Sequence, residues 1–438
     1  MRRVRGFMGL VFDVVEETTN LVERTHDAVV ERTTRRFAPI EPAKSAAAIV
    51  TAAQRAISGG VFESVRVING MVRAGTEVAI DLAEVRVTES EGEIGRSTPL
   101  DSTAAGSPSW VADFAEASIN GLWGDYLSRR ESHLDLGMGF RHQGRRLPLT
   151  GEAFAEAYPQ PTGKVCVFVH GLASTEWLWS LDSHEHYGAP NVTFGSRLEA
   201  DLGYTPIYLR YNTGRHISEN GRQLATTLTE LLDIYPVPIE EIALVGHSMG
   251  GLVTRSAAHY ATENDEPWAR LLRHVACIGS PHLGAPLEKA VNTLAGLLRK
   301  VDAAGAQVPA ELLTGRSAGI KDLRYGYTRD EEWLGRDADA VFGDARQNIP
   351  LVDGVGYYFV AATISRDPEH PMGEVLGDLL VRVPSASGHH PEPSRRIPFR
   401  RGAVVHGMSH IHLANHPEVY AALRGQLGAS TSATAPIR

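Results

Sequence analysis

Along the first 88 residues apolar positions recur at the three-to-four-residue spacing of amphipathic helices. A first helix carries Phe7, Met8, Val11, Val14 and Val15 on one face and runs on through Val30 and Arg36, until Pro39 and Pro42 break the pattern. A second spans Ser45 to Ile57, opened by a Ser45 cap and closed at Gly59-Gly60. A third spans Val61 to Val85, with Val65, Ile68, Val72, Val78 and Leu82 as its buried face. Residues 89–109, rich in Ser, Gly, Thr, Glu and Pro, read as a flexible linker. Beyond it, Trp110 to Arg130 is helical, and Leu134 to Leu149 reads as a strand pair turning at Gln143-Gly144. Short apolar runs then follow at Val165–Val169, Pro206–Tyr211, Ile242–Val245, Val275–Ile278 and Tyr357–Thr363, with helical patterns near Leu224–Ile234 and Leu252–Ala261. Unalternating strands separated by helices predict a mostly parallel sheet covered on both faces, an α/β architecture from about residue 134. No internal repeat is visible.

Composition narrows the classes. With 438 residues, 43% of them hydrophobic, the chain can bury a sizeable core. A formal charge of −9 argues against nucleic acid as a partner, because phosphate binding needs a clustered positive face. No run of 18 or more apolar residues predicts a membrane-spanning helix. Arg2, Arg3 and Arg5 before Gly6–Phe12 imitate a secretory signal, but Asp13, Glu16 and Glu17 interrupt the apolar run. The first helix is therefore read as packed on its own domain; the alternatives are a helix lying on a membrane surface and a cleaved signal. A cytoplasmic protein, with peripheral membrane contact through this helix as the variant, is the expectation. The oligomeric state is left open.

The sharpest chemical signal is Gly246-His247-Ser248-Met249-Gly250-Gly251, a G-x-S-x-G placed between a buried strand and a helix. A serine on so tight a turn tolerates only small neighbours, which Gly246 and Gly250 supply, and its hydroxyl then stands above the sheet at the positive end of the following helix. An earlier strand ends in His170-Gly171-Leu172-Ala173. A tetrahedral intermediate needs two donors; the N–H groups of Met249, next to the nucleophile, and of Leu172, in this earlier loop, are the candidates. His170 and His247, which flank these donors, and Trp177 and Trp179 are candidates for lining the approach to Ser248, the tryptophans equally for the core.

With these strings, residues from about 118 to 427 resemble a lipase- or esterase-type α/β-hydrolase, nearest to the bacterial-lipase and GPI inositol-deacylase-like branch. Gly279-Ser280-Pro281-His282-Leu283-Gly284-Ala285-Pro286 and Gly377-Asp378-Leu379-Leu380-Val381 also carry the likeness. The resemblance implies an eight-stranded mostly parallel sheet, a Ser–acid–His triad in that chain order, and no cofactor. It places Cys166 and Cys277 on strands separated by the elbow strand, two spacings or roughly 9.6 Å apart, too far for a disulfide. Both are read as buried thiols, in keeping with a reducing compartment.

The acid is sought after the strand Tyr357–Thr363, among Asp367, Glu369, Glu374 and Asp378. Asp378 is chosen for its similarity to the family's acid loop, although Leu379 stands where that loop usually has glycine. The histidine must come last. The family's Ser-His-x-x-Leu arrangement selects His410, with His412 and His406 behind it and His416 as a cap for the final helix. A metal site at His410, His412 and His416, or at His184, Glu185 and His186, is disfavoured for want of cysteine and of H-E-x-x-H. Residues 287–350 exceed a simple crossover, and Leu287, Val291, Leu294, Leu297, Leu298 and Val301 keep helical spacing there. Such an insertion is expected to cap a hydrophobic acyl pocket.

The sequence thus predicts a helical region over 1–88, a linker over 89–109 and a catalytic domain over 110–430 with a cap near 287–350. It predicts a serine hydrolase of small-molecule or lipid esters, with an acyltransferase, a thioesterase or a membrane-peripheral binding protein as alternatives. Ser248, Asp378 and His410 are its triad.

Overall fold

A computed structural model of the chain describes residues 110–285, 317–336, 344–367 and 377–429. The helices expected before residue 89, the 89–109 linker, Glu369 and Glu374 lie outside the described residues, as do 286–316 and 337–343 of the expected cap.

The described chain runs α1 (Trp110–Arg129), β1 (Met138–His142), β2 (Arg145–Arg146), α2 (Gly151–Ala157), β3 (Lys164–Val169), α3 (Ser183–Tyr187), α4 (Phe194–Leu202) and β4 (Thr205–Tyr211). It continues with α5 (Ile217–Ile234), β5 (Glu241–His247), α6 (Met249–Glu263), β6 (Leu272–Ile278), α7 (Ala318–Asp322), β7 (Gly356–Thr363), α8 (Val383–Ala386), β8 (Arg401–His406) and α9 (Pro417–Leu427). The strands form one eight-stranded sheet in the order β2-β1-β4-β3-β5-β6-β7-β8. β1 is antiparallel to β2 and β4; every pairing from β4 to β8 is parallel. This is the mostly parallel sheet that the apolar runs predict.

The unalternating strands do alternate, between two cores. Val165, Val167 and Val169 of β3 and Ile242 and Leu244 of β5 join Leu224 and Leu228 of α5 and Leu252 and Val253 of α6 on one face. Cys166, Phe168, Ala243 and Val245 point the other way, to Phe194 and Leu198 of α4 and Val419 and Leu423 of α9. A strand wet on neither side has no position for a polar residue, hence its continuous apolar run. The predicted hairpin is present and turns at Gln143 (φ 49°) and Gly144 (φ 79°), the left-handed pair of a two-residue turn. Cys166 on β3 and Cys277 on β6 are buried free thiols with β5 between them. Burial pushes the Cys277 thiol up to about 12.

Two elements differ from expectation. α5 starts seven residues before the predicted Leu224, because Asn220 and Gly221 look like loop yet are buried, Gly221 against α6 and Asn220 donating to the Asn212 carbonyl. A side chain on Gly221 would meet Ser256 of α6, so the glycine permits close helix packing. β8, absent from the sequence reading, is an edge strand with only Val405 buried, and it offers no apolar run to detect.

Candidate active site

The elbow comes first. Ser248 sits between β5 and α6 with φ 55° and ψ −124°, the strained conformation such a turn demands. Its N–H donates to Ile278 O on β6 (2.8 Å), which fixes the turn to the sheet. A Cβ on Gly250 would collide with the carbonyl oxygen of Val169, and one on Gly246 with the backbone of Gly250. The two glycines are thus required by backbone crossing at that point. Ser248 is half-buried and its side chain caps nothing, so the hydroxyl is not spent on the helix. The first N–H groups of a helix lack intrahelical acceptors, and Met249 N is the first of α6.

The loop after β3 lies on this turn. A Cβ on Gly171 would stand 2.9 Å from Ser248 Cβ and 3.3 Å from His247 O, so Leu172 follows directly on a residue packed against the elbow. His170 braces it: Nδ1 donates to Gly171 O (2.9 Å), the ring stacks on Tyr211 at 4.7 Å, and the Tyr211 hydroxyl donates to His170 O (2.9 Å). Ala173 N donates to Thr213 Oγ1 (3.1 Å). Burial holds the His170 imidazole neutral by pulling it down to about 3.

His410 and Asp378 arrive from after β8 and β7 and are both buried. His410 Nδ1 lies 2.8 Å from Asp378 Oδ2. Asp378 Oδ1 accepts from Leu380 N (3.0 Å) and Val381 N (2.7 Å), and the Asp378 carbonyl accepts the His410 N–H (3.1 Å). Carboxylate and imidazole are thereby held at both backbone and side chain. Leu379 has φ 83° and Gly377 φ 54°, so the loop that carries Asp378 is left-handed on both sides of it, at Leu379 without a glycine. The His410 ring reaches the elbow through β6. A Cβ on Gly279 would lie 3.3 Å from its Nδ1 and Cε1, and the preceding Ile278 receives the Ser248 N–H.

His247 ties the two halves. Its Nε2 lies 3.0 Å from the His410 carbonyl, an acceptor only, so Nε2 carries the proton. The two rings are 4.9 Å apart. Burial, with His410 nearby, lowers the His247 imidazole to about 3. His170 and His247 therefore stand beneath the site as neutral braces. Trp179 is fully buried between Phe168 and Phe194 and belongs to the core. Trp177 is half-buried and its indole N–H donates to Asp113 (2.7 Å).

The other candidates lie elsewhere. His412 is exposed, with Nδ1 2.6 Å from Ser409 Oγ and Nε2 3.6 Å from Asp182. His406 ends β8. His416 accepts from Glu418 N and caps α9. Asp367 is exposed. Among the described residues no group of three His, Cys, Asp or Glu is arranged to hold a metal ion, and no helix is long and apolar enough to cross a membrane. Sequence reasoning missed Arg210 of β4, which binds Glu176 through Nε and Nη2 (2.7 and 2.5 Å) and Asp113 through Nη1 and Nη2 (2.7 and 2.9 Å). This buried bridge joins α1 to the segment that follows Leu172; a lone arginine at a strand end gives no sequence signal for it.

The sheet topology and the strand–serine–helix turn are those of the α/β-hydrolase fold. Residues 160–307 match the PGAP1-like alpha/beta domain, a GPI inositol-deacylase-like family. No curated protein is a significant match to the chain. Among solved structures, a Bacillus licheniformis lipase in propeptide form shares 17% identity over 64% of this chain and 53% of its own, with TM-score 0.40. The chain thus spans about half the length of that lipase. Phospholipase PlaB of Legionella pneumophila shares 16% over 61% of this chain and 60% of its own (TM-score 0.37). The RedJ thioesterase of Streptomyces coelicolor shares 17% over 61% and 92% (TM-score 0.34).

Proposed function

We propose that the protein is a carboxylic-ester hydrolase acting through Ser248, His410 and Asp378. The observation that carries this reading is the His410–Asp378 bond beside an elbow serine in strained geometry. A carboxylate on Nδ1 holds the imidazole in the tautomer whose Nε2 is a base. In this scheme Nε2 takes the Ser248 proton as the hydroxyl attacks the ester carbonyl. The N–H groups of Leu172 and Met249 receive the oxyanion, and His410 returns the proton to the departing alcohol. Water, activated by the same histidine, then releases the acid and regenerates the serine. No cofactor enters these steps.

We further assign residues 110–430 to the catalytic domain and 287–350 to a cap that favours a hydrophobic acyl group. The described part of that segment is fastened to the body: Asp322 of α7 accepts from Ile217 N (2.8 Å) and lies 3.0 Å from His216 Nδ1.

The test is hydrolysis of a graded p-nitrophenyl ester series by the native chain and by Ser248→Ala, together with fluorophosphonate labelling. Loss of both turnover and label in the variant is expected. Equal rates for the two proteins would remove Ser248 from the mechanism. Thioester substrates and alcohol acceptors in the same series separate hydrolysis from thioesterase and acyl-transfer chemistry.

A further inference from the structure

A cavity of about 850 Å³ opens beside β1 and β4, and neither Ser248, Asp378 nor His410 lines it. Its walls include Arg141 of β1, Trp177, Tyr208 of β4, Thr193 and Ser196. Arg141 is 8% exposed, yet among the described residues its guanidinium reaches only the carbonyl of the adjacent Phe140, from Nη1 at 3.5 Å, the outer limit for such a contact. Among the described residues no carboxylate lies within 4.0 Å of it. Glu176 also lines the cavity, but both its oxygens are bound by Arg210, which holds Asp113 as well. Burial draws nearby Glu116 toward its neutral form. Burial and the Arg210 charge lower Arg141 to about 10, against the opposing pull of Glu176 and Asp113.

A guanidinium that lines a cavity with no carboxylate in ion-pair contact is free to pair with an anion that enters it. A guanidinium fork and Trp177 in the walls of one cavity suit a planar anionic head joined to an apolar body. We propose that this cavity is a second ligand site, taking a small organic anion whose phosphate or carboxylate pairs with Arg141 and whose apolar part lies against Trp177. It stands apart from the ester-cleaving reading and does not need it.

The experiment uses the full chain, with phenyl phosphate and benzoate as probes and phenol as the neutral control, read by calorimetry and thermal unfolding. The expected result is saturable binding of at least one anion, a rise in Tm with its concentration, and no such rise with phenol. Arg141→Met should weaken anion binding at least tenfold while leaving the ligand-free Tm unchanged or higher, because the uncompensated charge is gone. Equal binding by the variant, or no saturable binding to the native chain, would overturn the proposal. So would a lower ligand-free Tm or a failure to fold, since either outcome marks Arg141 as a structural support. Arg141→Lys, which keeps the charge but loses the fork, should bind measurably more weakly than the native chain.

Discussion

Acid should unfold this protein through its buried histidines. His170, His247 and His282 are all buried, and each is held neutral mainly by that burial. The first two are lowered to about 3; His282 is pushed well down, with Arg255 and Arg346 adding to the effect. In the unfolded chain each titrates near its ordinary 6.5. Below that value the unfolded state binds protons that the folded state refuses, so stability falls as pH falls. The slope is about 1.4 kcal/mol per pH unit for each histidine, or about 4 kcal/mol for the three. Integrated from pH 7 to 5, the loss is about 5–6 kcal/mol, comparable with the whole stability of many domains. His216 offsets it only at the upper end of this range. Burial pulls this residue down, but the bond to Asp322 outweighs that and its folded value is raised. Its contribution is therefore complete below 6.5 and is lost only as pH rises through the raised value. Urea unfolding at pH 7, 6, 5.5 and 5, at constant ionic strength, measures the slope directly. His170→Asn keeps a donor for Gly171 O and should flatten the slope by about 1.4 kcal/mol per pH unit. A stability independent of pH over this range, or an unchanged slope in His170→Asn, would refute the argument.

Other substitutions test the site itself. Asp378→Asn keeps an oxygen for the Leu380 and Val381 N–H groups but leaves His410 in the wrong tautomer, so kcat should fall by about 10⁴ with the fold intact by circular dichroism. His247→Leu removes the donor to the His410 carbonyl; kcat should fall about tenfold, as expected for roughly 1.4 kcal/mol of lost positioning, with KM little changed. His247→Gln, which offers an N–H near the same place, should restore most of it. Gly250→Ala forces a methyl onto the Val169 carbonyl and should cost about 1–3 kcal/mol in urea unfolding, together with loss of fluorophosphonate labelling.

Much of the fold was legible because its physics is local. Val165–Val169 and Ile242–Val245 must read as unbroken apolar runs, since both faces of a central parallel strand are dry. Gly246 and Gly250 announce a turn in which backbones touch, and a serine between them has few structural reasons to be there. By contrast, β8 escaped because an edge strand with one buried residue leaves no hydrophobic signature. The first turns of α5 escaped because Gly221 serves contact with another helix and Asn220 a bond to the Asn212 carbonyl, not helix propensity. Spacing alone could not choose among His406, His410, His412 and His416, which lie within eleven residues of one another. The choice depends on which ring meets Asp378, a residue 32 positions away. The same holds for Trp179, whose place in the core depends on Phe168 and Phe194. The sequence by itself determined the layers and the strained serine, because periodicity and steric demand act between near neighbours. Tertiary structure alone decided the partner of His410, the braces under the loop after β3 and the place of Arg141 in a cavity wall, because hydrogen bonds and charge compensation are settled between distant segments only when the sheet assembles.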